Sequence, residues 1–112
     1  MGITVYEKST CTTCKRLHAL LTERGVDFET VEYVVDGLPE EKIRDLLAKA
    51  GISARDAIRA REPEAAGIGS EETDDEIIAR MVHDPVLLQR PFVEVGDRAV
   101  LARPVEKVLD LI

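Results

Sequence analysis

Cysteine is scarce in this chain of 112 residues: there are two, Cys11 and Cys14. Histidine is equally scarce, at His18 and His83. A structural zinc site ordinarily takes four ligands. The cysteines supply half a set and the histidines lie far apart in sequence, so no metal is expected. No apolar run approaches the roughly 20 residues that a membrane-spanning helix needs. The start, Met1-Gly2-Ile3-Thr4, shows no signal-peptide pattern. Gly2 opens no myristoylation motif, because Tyr6 stands where Ser or Thr is wanted. The expectation is a cytoplasmic protein with no membrane contact. Positive charge is in deficit, with 15 Lys and Arg against 22 Asp and Glu and a net charge of -7. That balance argues against a general electrostatic patch for nucleic acid. Repeats, low-complexity tracts and linkers are absent as well.

What is present reads as a single domain over residues 1–112, large enough for a modest core. Hydrophobic residues make up 45 % and charged residues 33 %, the balance of an ordinary globular chain. Ile3 to Tyr6 is strand-like, and a helix is expected from about Thr12 to Arg24, with Cys14, Leu17 and Leu21 on one face. Gly25 suits a left-handed cap. Phe28 to Val35 reads as a second strand, with Val31, Tyr33 and Val35 on one side. Pro39, Glu40 and Glu41 open a helix whose buried stripe is Ile43, Leu46, Leu47 and Ala50. Gly51 ends it.

The middle changes character. A short helix is expected through about Arg59, then a loop from Glu62 to Ser70. Thr73 to Glu76 matches a capping box, leading a helix that Asp84-Pro85 breaks. Phe92 to Val95 and Ala99 to Ala102 read as a hairpin about Gly96-Asp97-Arg98. Pro104 opens a last helix carrying Val105, Val108, Leu109 and Ile112. The pattern is α/β, a βαβ start and a ββα end with a helical insert at about 52–89.

The two cysteines are spaced C-x-x-C (Cys11-Thr12-Thr13-Cys14), between a strand-like run and a helix. In that context the motif points to thioredoxin-like redox chemistry. A thiol at a helix start feels the positive end of the backbone dipole, which favours the reactive thiolate. In a reducing compartment a permanent disulfide is disfavoured, so the pair suggests transient chemistry. Half a zinc site or two inert packing cysteines are the alternatives. Within the redox reading, Cys11 at the helix edge is the better nucleophile. Cys14, one turn inside, is placed to resolve a Cys11 adduct as a disulfide.

Arginines form the second group. Arg59 follows Ala57-Ile58, Arg90 precedes Pro91, and Arg103 precedes Pro104. Each is placed near the end of a regular element, and element ends around one sheet edge can converge. Guanidinium groups bind oxyanions through paired hydrogen bonds and stabilise thiolates. By composition alone each could equally be a solvated surface residue. Arg90-Pro91 is a candidate cis peptide, since X-Pro bonds tolerate cis far better than others. His18 and His83 read as structural or surface residues.

These pieces together resemble the arsenate reductase (ArsC) family of the thioredoxin-like superfamily, whose relatives include the Spx transcriptional regulators. The resemblance spans the chain. It rests on Thr4-Val5-Tyr6 followed by Cys11, on Gly51-Ile52-Ser53 with Arg55 and Ala57-Ile58-Arg59, and on His83-Asp84-Pro85. It rests also on Arg90-Pro91-Phe92-Val93, and on Arg103-Pro104 with Val108-Leu109-Asp110. It implies that Cys11 is the nucleophile, that Arg59, Arg90 and Arg103 bind the oxyanion, and that the Pro91 bond is cis. Family chemistry implies a thiol–arsenate adduct, a small oxyanion substrate, a monomer with no bound cofactor, and an external thiol donor. That donor would be glutathione with glutaredoxin, thioredoxin or another small thiol.

The chain departs from the glutaredoxin-dependent reductases at two positions. They have no cysteine equivalent to Cys14, which here could resolve the adduct internally. They carry a histidine where this chain has Glu7, whose carboxylate is expected to face solvent; pointing inward, it would raise the Cys11 pKa. The Spx-like regulators use C-x-x-C as a redox switch and bind RNA polymerase, the alternative reading. They lack the arginine equivalent to Arg103, so Arg103-Pro104 favours the reductase.

Overall fold

A short run rich in β-branched residues, β1 (Ile3–Glu7), forms the middle of the sheet in the computed structural model, which describes residues 2–112. β1 pairs in parallel with β2 (Glu29–Glu32) and antiparallel with β3 (Phe92–Val95). β3 pairs antiparallel with β4 (Arg98–Leu101), giving the order β2-β1-β3-β4. A parallel neighbour needs a crossover, which is supplied by α1 (Thr12–Glu23).

Alternation along the strands splits the core between the two faces. Tyr6 and Phe92 pack beneath α3 (Glu40–Ala50) and α4 (Asp74–His83). Val5 and Val93 face Leu17 and Leu21 of α1, together with Val105 and Val108. Both sheet faces are therefore covered. The β1–β3 register sets Tyr6 opposite Phe92, so the carboxyl end of β1 lies beside the amino end of β3. This pairing later brings the cysteine loop and the arginines to one edge.

Local signals explain the helix ends. Gly25 takes φ +70°, and Val26 N–H returns to Leu21 O at 3.0 Å, closing α1 with glycine in the left-handed region. Gly51 does the same for α3 at φ +69°. The capping box at Thr73 and Glu76 is formed in both directions. Among the described residues, no helix is long and apolar enough to cross a membrane.

Three expectations need correction. The second strand stops at Glu32, and Tyr33–Asp36 forms a helical turn, α2. Gly37, at φ +77°, donates its N–H to Tyr33 O at 2.7 Å. The turn places Tyr33 wholly inside and leaves Val35 79 % exposed, so the two do not share a face. The C-terminal segment is a run of 3-10 turns, Val105–Asp110. Val105 and Val108 are buried, but Ile112 is exposed, because the tighter winding breaks the α-helical stripe. The segment expected as loop contains a 3-10 turn, Pro63–Gly67. Further 3-10 turns lie at Arg55–Ala57, well before α4, and at Pro85–Leu87, directly after it.

One buried acid anchors α3 to the sheet. Glu94, on β3, receives hydrogen bonds from Lys42 (2.8 Å), Lys49 (2.5 Å) and the Tyr6 hydroxyl (2.7 Å). Burial opposes its charge, but these donors outweigh burial and hold its pKa at about 2. An unfolded glutamate titrates near about 4.3. With the folded value lowered, the stabilisation is complete above the unfolded value and fades as pH falls toward 2. Glu94→Gln should therefore cost on the order of 2 kcal/mol at neutral pH and almost nothing near pH 2. Urea unfolding across that pH range measures the difference; a cost that does not change with pH would refute the assignment.

Candidate active site

The loop after β1 delivers Cys11 to the N-cap of α1. Cys11 is extended (φ -76°, ψ 126°), and its N–H donates to Lys8 O at 2.9 Å. No side chain caps the helix, so the free amides of the first turn are available to the sulfur. Burial pushes the Cys11 pKa up. The N–H of Cys14, the Cys14 thiol, the N–H of Thr13 and the charge of Arg90 more than reverse this, and the net shift is downward.

Cys14 is opposite in character. It is 1 % exposed and its pKa is pushed up to about 12. Burial is the main cause, opposed by the Lys8 N–H. The hydrogen bond and charge of Cys11 and the charge of Glu7 add to the rise. The pair thus consists of a thiolate-prone sulfur at the helix edge and a thiol beneath it that donates to that sulfur.

Glu7 does not face solvent. It is 3 % exposed, and its Oε1 meets His18 Nε2 from α1. The reason is register: Glu7 continues β1 beside Glu32 of β2, where α1 covers the sheet and offers a partner. His18 also packs edge-on against Phe28, with ring centroids 5.0 Å apart. The charge of Glu7 adds to the rise of the Cys14 pKa. His83 has 85 % of its side chain exposed and is remote from this pair in function.

Topology gathers the arginines. Arg90 immediately precedes β3 and Arg103 follows β4, and the pairing of Phe92 with Leu101 puts them at one end of the hairpin. Ala102 N–H donates to Pro91 O at 2.9 Å, extending the ladder. Residues 57–59 pair with 87–89: Arg59 N–H reaches Leu87 O and Gln89 N–H reaches Ala57 O, both at 2.7 Å. This brings Arg59 alongside Gln89 and Arg90. The Arg90-Pro91 and Arg103-Pro104 peptides are both cis; only the first was a candidate from sequence.

The three guanidinium groups form one connected network. Arg59 Nε donates to Glu62 Oε1 at 3.0 Å, and Arg90 Nη2 to the same oxygen at 3.3 Å. Arg59 Nη1 donates to Gln89 Oε1 at 2.8 Å. Arg103 Nη1 donates to the carbonyl of Arg90 at 2.9 Å. Arg90 is 2 % exposed, and its Nη1 also reaches the Tyr33 hydroxyl and Val86 O. Its Nε is buried with no hydrogen-bond partner. Arg103 has no carboxylate partner among the described residues. The arrangement offers free N–H donors and net positive charge, and the charge of Arg90 reaches Cys11.

Tyr33, Glu62 and Gln89 belong to this site and were not singled out by sequence reasoning. Glu62 lies three residues after Arg59, the spacing of one tight turn, which is the signal available for it. Tyr33 was assigned to the wrong kind of element. Gln89 carried no signal.

A βαβ unit joined to a β-hairpin, with C-x-x-C at the start of the first helix, defines a thioredoxin-like protein. A glutaredoxin family model matches residues 3–61. An arsenate reductase from Rhizobium meliloti is 30 % identical over the whole chain, which covers 82 % of that protein. The arsenate reductase ArsI2 of Synechocystis is 33 % identical, over 98 % of this chain and 81 % of its own length. The solved structure of an arsenate reductase from Vibrio cholerae superimposes with a TM-score of 0.94 at 26 % identity, covering 100 % of this chain and 98 % of that one. The chain belongs to the arsenate reductase (ArsC) family, a family of thiol-dependent reductases within the thioredoxin-like group.

The split between the two sulfurs has a direct readout. Iodoacetamide at neutral pH should modify Cys11 at least about tenfold faster than Cys14, because only thiolate reacts. The pH midpoint for Cys11 should fall below that of an ordinary thiol. Tandem mass spectrometry of the peptide carrying both residues assigns the site, and preferential labelling of Cys14 would reverse the assignment.

Proposed function

We propose that this protein reduces arsenate, with Cys11 as nucleophile, Cys14 as resolving thiol, and Arg59, Arg90 and Arg103 holding the oxyanion. The observation that carries the reading is the linked guanidinium network beside a cysteine whose pKa is lowered partly by one of those arginines. The names of the relatives support arsenate as the substrate.

The steps follow from the groups present. The Cys11 thiolate attacks arsenic, and a hydroxyl takes up a proton from solvent and leaves as water, giving a thiol–arsenate adduct. The arginines neutralise its charge and hold the arsenic in line with the sulfur. Consumption of the thiolate removes the hydrogen bond and the negative charge that raise the Cys14 pKa. Cys14, as thiolate, then attacks the Cys11 sulfur. A disulfide forms, the sulfur–arsenic bond breaks with its electron pair left on arsenic, and As(V) becomes As(III), leaving as arsenite.

An external thiol donor, glutaredoxin with glutathione, thioredoxin or a small thiol, then reduces the disulfide by exchange. A cleft of about 480 Å3 beside Arg103 and Pro104, with Thr13, Arg16 and Leu20 on its α1 side, offers that donor a place to approach. Every group needed up to disulfide formation comes from one chain, so the reading is of a monomer, acting in the cytoplasm. The presence of Arg103 in the network favours this reading over an RNA polymerase-binding regulator.

Arsenate-dependent thiol oxidation should vanish in Cys11→Ser and fall about a hundredfold in kcat/KM in Arg103→Ala. Mass spectrometry after a single turnover should show loss of two protons in the wild type and not in Cys14→Ser. A folded wild type that turns over no arsenate with any of the three donors would refute the activity. Normal turnover of Cys14→Ser with glutathione and glutaredoxin would refute the resolving role alone.

A further inference from the structure

We infer that Glu62 is a specificity residue: its carboxylate accepts a hydrogen bond from the bound oxyanion, so the site selects tetrahedral oxyanions that keep a hydroxyl at neutral pH. This rests on the oxyanion reading above and adds to it which oxyanions are admitted. An acid amid anion-binding arginines is at first sight misplaced, because like charges repel. The geometry gives it a purpose.

Arg59 Nε and Arg90 Nη2 both donate to Glu62 Oε1, at 3.0 and 3.3 Å. Oε2 makes no hydrogen bond among the described residues and is left as a free acceptor on a carboxylate that two of the arginines hold by its other oxygen. The side chain is 21 % exposed, so the carboxylate is only partly hydrated. Arg90, which holds the same carboxylate through Nη2, keeps its Nε as a buried donor without a partner. Donors and one acceptor thus lie side by side, and three guanidinium groups with one carboxylate leave an excess of two positive charges.

An arsenate or phosphate that keeps one proton is a dianion with three acceptor oxygens and one O–H donor. It satisfies the arginines through oxygen and Glu62 Oε2 through its hydroxyl. Sulfate has the same shape and charge but no proton at neutral pH. It would set an oxygen lone pair against a carboxylate, leaving that acceptor unpaired and repelled. A site built to pair a substrate hydroxyl rejects the analogue that lacks it far more strongly than a site built on shape alone.

The test uses anions that undergo no reduction as well as arsenate. Protection of Cys11 from iodoacetamide is titrated with inorganic phosphate, arsenate and sulfate at matched ionic strength. In the wild type, phosphate and arsenate should protect at concentrations about tenfold to a hundredfold below sulfate. In Glu62→Gln the amide still accepts from the arginines and can donate to any oxyanion. The gap should close to within about threefold, chiefly through tighter sulfate binding. Thermal unfolding checks that the variant is folded, and the wild-type comparison needs no variant. Equal protection by sulfate and phosphate in the wild type would overturn the inference. So would a Glu62→Gln variant that shifts all three anions alike, which would make Glu62 a mere competitor or brace. Absence of protection by any anion in the wild type would overturn the oxyanion reading itself, and the inference with it.

Discussion

Burial of the Arg90 guanidinium is the constraint on which the rest of the site depends. Taking such a charge out of water costs several kcal/mol unless its donors are met, and Arg90 is among the largest wholly enclosed side chains of the protein. Its Nη donors are met by groups from distant parts of the chain, the Tyr33 hydroxyl, Val86 O and Glu62, while its Nε is left without a partner. Its own carbonyl in turn holds Arg103. The Tyr33 hydroxyl is held from two sides, since it also donates to Leu88 O at 2.5 Å. Burial pushes the Tyr33 pKa up and outweighs the hydrogen bond and charge of Arg90, which lower it, so the hydroxyl stays protonated and remains a donor to Leu88 while accepting from Arg90. One buried cation thereby ties α2, the segment at Glu62, the turn before β3 and the end of β4 into a rigid frame.

Against that frame the two sulfurs are set apart by a distance of one helical turn. The N-cap position exposes Cys11 to free amides and to the Arg90 charge, whereas Cys14 lies below it beside Glu7. Each difference acts in the same direction. One sulfur is thereby inclined to ionise, and the other is held protonated chiefly by burial, with the hydrogen bond and charge of its neighbour adding to the effect. The buried Glu7–His18 pair sharpens the division, because its negative end faces the inner thiol.

The sheet, the three main helices and the cysteine at the helix start were legible because each has a local cause. β-branched runs give strands, glycine past an apolar stripe gives a helix end, and C-x-x-C announces itself. The capping box at Thr73 was readable to the atom. The errors share a different origin. Tyr33 looked like a strand residue because its neighbours alternate, yet its position is fixed by Arg90 and Leu88, both more than fifty residues away. Glu7 looked like a surface acid because nothing nearby in sequence reveals that α1 folds back over it with His18. Glu62 was read as loop because its role exists only once Arg59 and Arg90 are side by side. Residue types at element ends pointed to the arginines, but the polar groups that hold them in place are set by tertiary contacts alone.

The charge balance of the whole chain bears on how such a site can work. A protein of net charge -7 repels anions at long range, so attraction to the arginine network cannot come from the overall field. At physiological salt, exposed charges are screened beyond about 8 Å, which confines the surface repulsion to its neighbourhood. Inside the network the situation is inverted. Guanidinium groups that are already desolvated and fixed by hydrogen bonds lose little when an anion arrives, and their attraction is only weakly screened. An acidic exterior with a small, preorganised cationic interior therefore favours anions that fit over anions that are merely abundant. In the proposed site, selectivity would then come from the hydrogen-bond pattern of the cluster, where a single carboxylate among three arginines would change which oxyanion is satisfied.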